Sequence, residues 1–339
     1  MSDAAIYRDF TFGVTRAVKT ERGGNTYLVA EQALQPYPER LTDRLQHWAQ
    51  ARPDHTWMAR RDASGAWVKI SYAEAWDKAQ RIGQALLDRG LSVDKPVAIL
   101  SENSLEHALI ALGAMTVGVP YCSVSTAYSL MSQDYEKLRH VLGTITPGLV
   151  YASDWAKYGK AIEAVVDEGM EVAINSIAAY AQATGTTGIK HRKITAFEDL
   201  CATAITPQVQ QATQATHGDT IVKFLFTSGS TKLPKGVVNT QRMICANQQQ
   251  IAQAKPSVFD IPPVLVDWPP WNHTFGGNHD FNLVLFHGGT LYINDGKPTP
   301  ALIGETIRNL SEIAPTVYYD VPIGLEYLAN EMKTNAVLR

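Results

Sequence analysis

Val97-Ala98-Ile99-Leu100, then Leu105-Glu106-His107-Ala108-Leu109-Ile110-Ala111-Leu112-Gly113-Ala114-Met115-Thr116-Val117, then Val119-Pro120-Tyr121-Cys122-Ser123-Val124 follow one another across short breaks, and their reading decides the fold. The first run comes straight after Pro96 and shows no polar alternation, the pattern of a short strand buried on both faces. The second is long and apolar enough for a buried helix, and the third returns to strand character. Leu105 to Tyr121 carries Glu106, His107 and glycines and falls short of the ~18 residues a bilayer span needs. Strand, helix and strand in this order predict a βαβ unit.

The pattern continues outward. Ser132 to Leu142 reads as a helix, Leu149 to Ala152 as a strand and Trp155 to Val166 as a helix. Upstream, Ser71-Tyr72-Ala73-Glu74 has capping-box spacing, with Tyr72, Ala75, Trp76, Ala79, Ile82, Leu86 and Leu87 at helical period until Gly90. Downstream come strands at Ile221 to Phe226, Val264 to Trp268 and Thr290 to Ile293, with helices near Arg242 to Ala254, Leu302 to Ile313 and Ile323 to Met332. An α/β fold of mostly parallel sheets with flanking helices is expected. Residues 1–40 read as a loosely structured arm. The Ala, Thr and Gln bias before Gly218 reads as a surface connection, dividing the rest into subdomains of about 41–215 and 216–339.

Bulk properties exclude several function classes. Hydrophobic residues make up 45% and charged residues 19% of the chain, an ordinary globular balance. A net charge of −3 with interspersed signs gives no footprint for nucleic acid or an anionic membrane. Met1 to Phe10 lacks the apolar core of a secretory signal, and Cys122, Cys201 and Cys245 have neither zinc nor disulfide spacing. A cytoplasmic setting with buried thiols and no resident metal site is expected.

The chemistry concentrates in Phe224-Leu225-Phe226-Thr227-Ser228-Gly229-Ser230-Thr231-Lys232-Leu233-Pro234-Lys235-Gly236-Val237. Glycines allow backbone N–H groups to approach a polyphosphate, hydroxyls add short bonds, and lysine adds a compact positive charge. A Walker loop would end Gly-Lys-Ser/Thr, whereas here Lys235 precedes Gly236.

This loop resembles the signature loop of adenylate-forming enzymes, which include acyl-CoA synthetases, luciferases and nonribosomal-peptide adenylation domains. The resemblance implies that Thr227, Ser228, Gly229, Ser230, Thr231, Lys235 and Gly236 hold the ATP phosphates while a carboxylate attacks the α-phosphate, giving an acyl-adenylate and pyrophosphate. Lys232 stands where the family usually has glycine, so the turn is either strained or carries a second positive charge.

A second segment, Asp267-Trp268-Pro269-Pro270-Trp271-Asn272-His273-Thr274-Phe275-Gly276-Gly277, is similar to the family's segment at the mouth of the acyl pocket. There the resemblance places His273 near the substrate carboxylate, with Trp271, Asn272, Phe275, Gly276 and Gly277 around the acyl group. Ring faces and missing side chains would suit a flat aromatic acid, although the same aromatics could be core. Leu34 to Leu45, Val119 to Pro147, Thr227 to Met243 and Trp268 to Pro300 resemble feruloyl-CoA synthetases in particular. That implies ATP, magnesium and coenzyme A as co-substrates, ferulate or a related hydroxycinnamate as the acid, and catalytic roles for Thr227, Lys235 and His273.

The family's later adenine, ribose and lid segments are not found before Arg339. The chain is therefore expected to be an incomplete N-terminal domain without full activity. The alternative is a catalytically incompetent nucleotide-binding or interaction fragment.

Overall fold

The computed structural model describes residues 10–185, 192–227 and 233–335. Its centre is a seven-stranded sheet, in the spatial order β11-β10-β6-β5-β7-β8-β9. These are β5 (Val97–Leu100), β6 (Tyr121–Ser123), β7 (Leu149–Ala152), β8 (Val172–Ile174), β9 (Ile194–Ala196), β10 (Ile221–Thr227) and β11 (Lys235–Thr240). All neighbours run parallel except β10 and β11, which form an antiparallel pair at one edge. The strand order reverses around β5, with β6 on one side and β7 on the other, so the loops leaving their carboxyl ends diverge. Open α/β sheets bind ligands at such a place.

Strand alternation explains why β5 has no polar face. Val97 and Ile99 join a core with the helices Tyr72–Asp88 and Leu105–Thr116, while Ala98 and Leu100 join a second core with the helices Glu136–Ile145 and Trp155–Val165. The first core also takes in Trp57, Met58, Leu291 and Ile293 from a four-stranded sheet. That sheet runs β12 (Val264–Asp267), β13 (Thr290–Ile293), β3 (Thr56–Arg61) and β4 (Trp67–Ser71), parallel up to β3 and antiparallel between β3 and β4. The helix after β4 starts as its capping box predicts, with Ser71 Oγ accepting from Glu74 N and Glu74 Oε2 from Ser71 N.

Several expectations are corrected. The short β-like stretches of the arm pair more regularly than expected: β1 (Ala17–Arg22) and β2 (Asn25–Ala30) form an exposed hairpin. The helix expected from Ser132 starts at Glu136, because Ser132 Oγ accepts from Tyr135 N and holds a turn that places Tyr135 at φ 55°. Residues before Gly218 are not a bare connection. Pro207–Ala215 is a helix that buries Val209, and Thr206 is tied to Gln84 Oε1 through its amide and hydroxyl. Nor does either sheet divide near residue 215, since β10 and β11 join the first sheet and β3 and β4 join the second.

All three cysteines are buried thiols. No described helix is long and apolar enough to cross a membrane.

Candidate active site

The phosphate-type loop closes the β10–β11 hairpin. In the ladder Thr227 lies opposite Lys235 and Phe226 opposite Gly236, so the hydroxyl and the lysine frame the loop from its two sides. A Cβ on Gly236 would lie 3.2 Å from Phe226 Cζ, which explains the glycine by close packing under the ring. His140 Nε2 donates to Pro234 O at 2.9 Å and anchors the returning strand. Thr227, Lys235 and Gly236 are all exposed. Ser228, Gly229, Ser230, Thr231 and Lys232 lie outside the described residues, and so does the question posed by Lys232.

The second segment leaves β12 at Asp267 and crosses the end of β5. Asn103 pins it there from both sides of its amide: Nδ2 donates to Pro269 O at 2.9 Å, and Oδ1 accepts from Trp271 N at 3.1 Å. A π-helical turn, Phe275–Asp280, then runs into the helix Phe281–His287. The amide of Phe275 donates to His273 Nδ1 at 3.3 Å, so the neutral imidazole of this exposed residue carries its proton on Nε2.

One cavity of ≈ 240 Å³ joins the two segments, lined by Leu225, Phe226 and Thr227 from β10, Asn272, His273 and Thr274 from the crossing, and Ser125 and Tyr128 beyond β6. Other residues expected around the acyl group lie elsewhere. Trp271 is buried, its ring meeting His107 and Phe281 edge-on at 5.0 and 5.1 Å. Gly276 and Gly277 are buried under the crossing, where a Cβ would come within 2.3 Å of Pro269 O and Trp271 O respectively. Their missing side chains make room for backbone. Phe275 lines an adjoining surface depression, with Asn247, Asn278 and His279, that shares Thr274 with the first cavity.

A larger cavity of ≈ 520 Å³ shares Ser125 and Asn272 with the first. Arg60, Lys157 and Lys297 face Glu102 and Asp295 across it, with Lys157 Nζ 3.0 Å and Lys297 Nζ 3.7 Å from Glu102 and Arg60 3.0 Å from Asp295. Burial alone would raise the Glu102 pKa, but the Lys157 hydrogen bond and the charges of Lys157, Lys297 and Arg60 bring it below the usual carboxylate range.

Buried charge surrounds the crossing. Asp267 and Asp280 are both buried; burial and then the Asp280 charge push the Asp267 carboxyl well up. The Asp280 carboxyl is also pushed up by burial, offset in part by His279, whose Nδ1 lies 2.6 Å from its Oδ1. Burial lowers His107 to about 4 and Lys223 to about 7. The sequence reading missed Ser125 and Tyr128 as lining residues and Asn103 as the pin. The amide's place beyond an all-apolar strand was the available signal for Asn103, whereas Tyr128 carries no local mark.

The sequence model of a family described as AMP-binding enzyme matches residues 45–338. The chain is 23% identical over 218 residues to luciferin 4-monooxygenase of Photinus pyralis, covering 62% of this chain and 36% of that protein. It is 21% identical over 260 residues to an indenyl-propanoyl:CoA ligase of Rhodococcus jostii, covering 75% and 49%. Among solved structures, ATP-bound MatB of Rhodopseudomonas palustris superposes with a TM-score of 0.56 at 21% identity, covering 87% of this chain and 53% of that one. The chain thus spans about half the length, or less, of these relatives.

Proposed function

Because the chain belongs to the AMP-binding enzyme family, we propose that it carries the ATP-handling part of an acid–CoA ligase acting on a hydroxycinnamate such as ferulate. In the reaction a carboxylate oxygen attacks the α-phosphorus of magnesium–ATP, the bond to the β-phosphate breaks and pyrophosphate leaves. The coenzyme A thiol then attacks the acyl carbon and AMP departs. The observation that carries the reading is the shared cavity of Thr227 and His273. In this reading the β10–β11 loop, with Lys235 opposite Thr227, holds and neutralises the leaving pyrophosphate, which is the main task in phosphoryl-type transfer. The His273 Nε2–H is suited to hold the acid's carboxylate oxygen in line.

Tyr128 and Phe226 supply the ring faces that favour a flat aromatic acid, in place of Trp271 and Phe275. The larger cavity, with three cations against two carboxylates, suits an anionic co-substrate such as coenzyme A. Magnesium enters as part of the nucleotide substrate.

The test is calorimetric titration of this chain with magnesium–ATP, followed by ATP–pyrophosphate exchange in a version extended to the length of its relatives. Ferulate-dependent exchange supports the reading, and exchange driven only by aliphatic acids overturns the aromatic substrate. A second reading is a nucleotide-binding module without turnover. Tight ATP binding without exchange in the extended protein would favour it.

A further inference from the structure

Lys223 is 1% exposed in β10, two pleats before Thr227 and on the same face by strand alternation. An ammonium there is expensive to bury, and an aliphatic residue would complete a parallel strand at no such cost. Its Nζ donates to Gly277 O at 2.6 Å and lies 5.6 Å from the Tyr121 ring centre. Gly277 belongs to the π-helical turn whose first residue, Phe275, orients His273. A π turn widens the backbone and leaves carbonyls open to outside donors.

Further bonds to this turn come from the same part of the molecule, beside the Asp267 carboxyl that faces Asp280 from β12. Gln248 Nε2, in the helix Gln241–Ala254 that follows β11, donates to Asn278 O at 2.9 Å and reaches His279 O at 3.4 Å. Asn239 Oδ1, in β11, accepts from Asn278 Nδ2 at 2.8 Å. The strands on both sides of the phosphate-type loop, and the helix after β11, therefore all hold the turn that directly follows the acyl-side histidine.

We propose that Lys223 is a positioning residue that couples the β10–β11 loop to the His273 segment through its bond to the Gly277 carbonyl, so that nucleotide at the loop steadies the acyl side. The proposal rests on the functional reading above. It predicts that magnesium–ATP slows amide exchange in the turn at 275–280 and does so through Lys223.

Hydrogen exchange of the whole chain, wild type and Lys223→Met, measured with and without magnesium–ATP, tests it. The expected result is that ATP protects both the strands flanking the loop and the turn in wild type. In the variant it should protect the strands alone, and the ligand-free turn should exchange about tenfold faster, as loss of a charge-assisted hydrogen bond implies. Equal protection of the turn in both proteins overturns the proposal. If ATP protects nothing in either protein, the functional reading fails, and the ligand-free comparison alone decides the role of Lys223: an unchanged turn refutes it.

Should Lys223→Met not fold, the Asp267→Asn protein, in which that carboxyl no longer titrates, compared at about pH 6 and about pH 9 decides, because burial places the Lys223 titration between them. His107, lowered to about 4, and Tyr121, raised by burial, are the titratable groups facing Lys223 from the helix Leu105–Thr116 and from β6, and both stay neutral over that range. ATP-induced protection of the turn should shrink at the higher pH, and unchanged protection overturns the proposal.

Discussion

Replacing Asp267 by asparagine should change how stability depends on pH. The carboxyls of Asp267 and Asp280 face each other in the interior at the two ends of the segment bearing His273. If both were ionised, Asp280 Oδ2 would have no donor and Asp267 would have only the indole of Trp271. One proton shared between them turns two orphaned acceptors into an O–H···O bond, and burial favours that form. The folded Asp267 therefore holds its proton to a higher pH than the unfolded residue does. Its stabilising contribution is complete below the ordinary carboxylate pKa and is lost as pH rises through the raised folded value. Over that window one extra proton on the folded state costs about 1.4 kcal/mol per pH unit. Asparagine keeps a donor toward Asp280 and removes the Asp267 contribution, so the variant should gain on wild type as pH rises above the ordinary carboxylate value. Urea unfolding of both proteins at several pH values measures the difference. Parallel stability profiles would refute the shared proton.

Gly276→Ala should lower stability by about 3 kcal/mol, since the new methyl would lie 2.3 Å from Pro269 O and 2.8 Å from Pro270 O, and thermal unfolding will show it. Lys235→Ala, at an exposed position, should leave the melting temperature nearly unchanged yet weaken magnesium–ATP binding about tenfold or more in calorimetry. His273→Ala should likewise fold normally; in the extended protein it should slow acid-dependent pyrophosphate exchange about tenfold or more while ATP binding holds.

The elements legible in the sequence are those whose signal is local. Val97–Leu100, Leu149–Ala152 and the capped helix from Tyr72 are marked by their own composition or by a bond three residues long. What was not legible depends on distant partners. Trp57, Met58 and Ala59 are buried only because β3 lies beside β13 and above helices from another part of the chain, so no alternation marks the strand. The same reason explains the site. That Thr227 and His273 meet was implied by a resemblance of two loops, but which aromatics face the cavity is set by packing. Trp271 turns inward because His107 and Phe281 offer it a buried edge-to-face seat, leaving Tyr128 and Phe226 to line the cavity.

The form of the hairpin constrains how phosphate charge can be met. Where a phosphate loop joins a strand to a helix, free amides at the helix N-terminus supply part of the positive field. Here β10 returns directly as β11, and the next helix starts only at Gln241, beyond the far end of β11. On the proposed function side chains must then carry more of the positive field, which gives reason for a lysine directly across the ladder from Thr227. An antiparallel edge pair is also easily displaced unless something behind it resists. The bonds that join Lys223, Asn239 and Gln248 to the π-helical turn give that resistance. In this arrangement the polar cost of the buried lysine falls on the strand that needs rigidity, and the cavity between the two loops is held from behind.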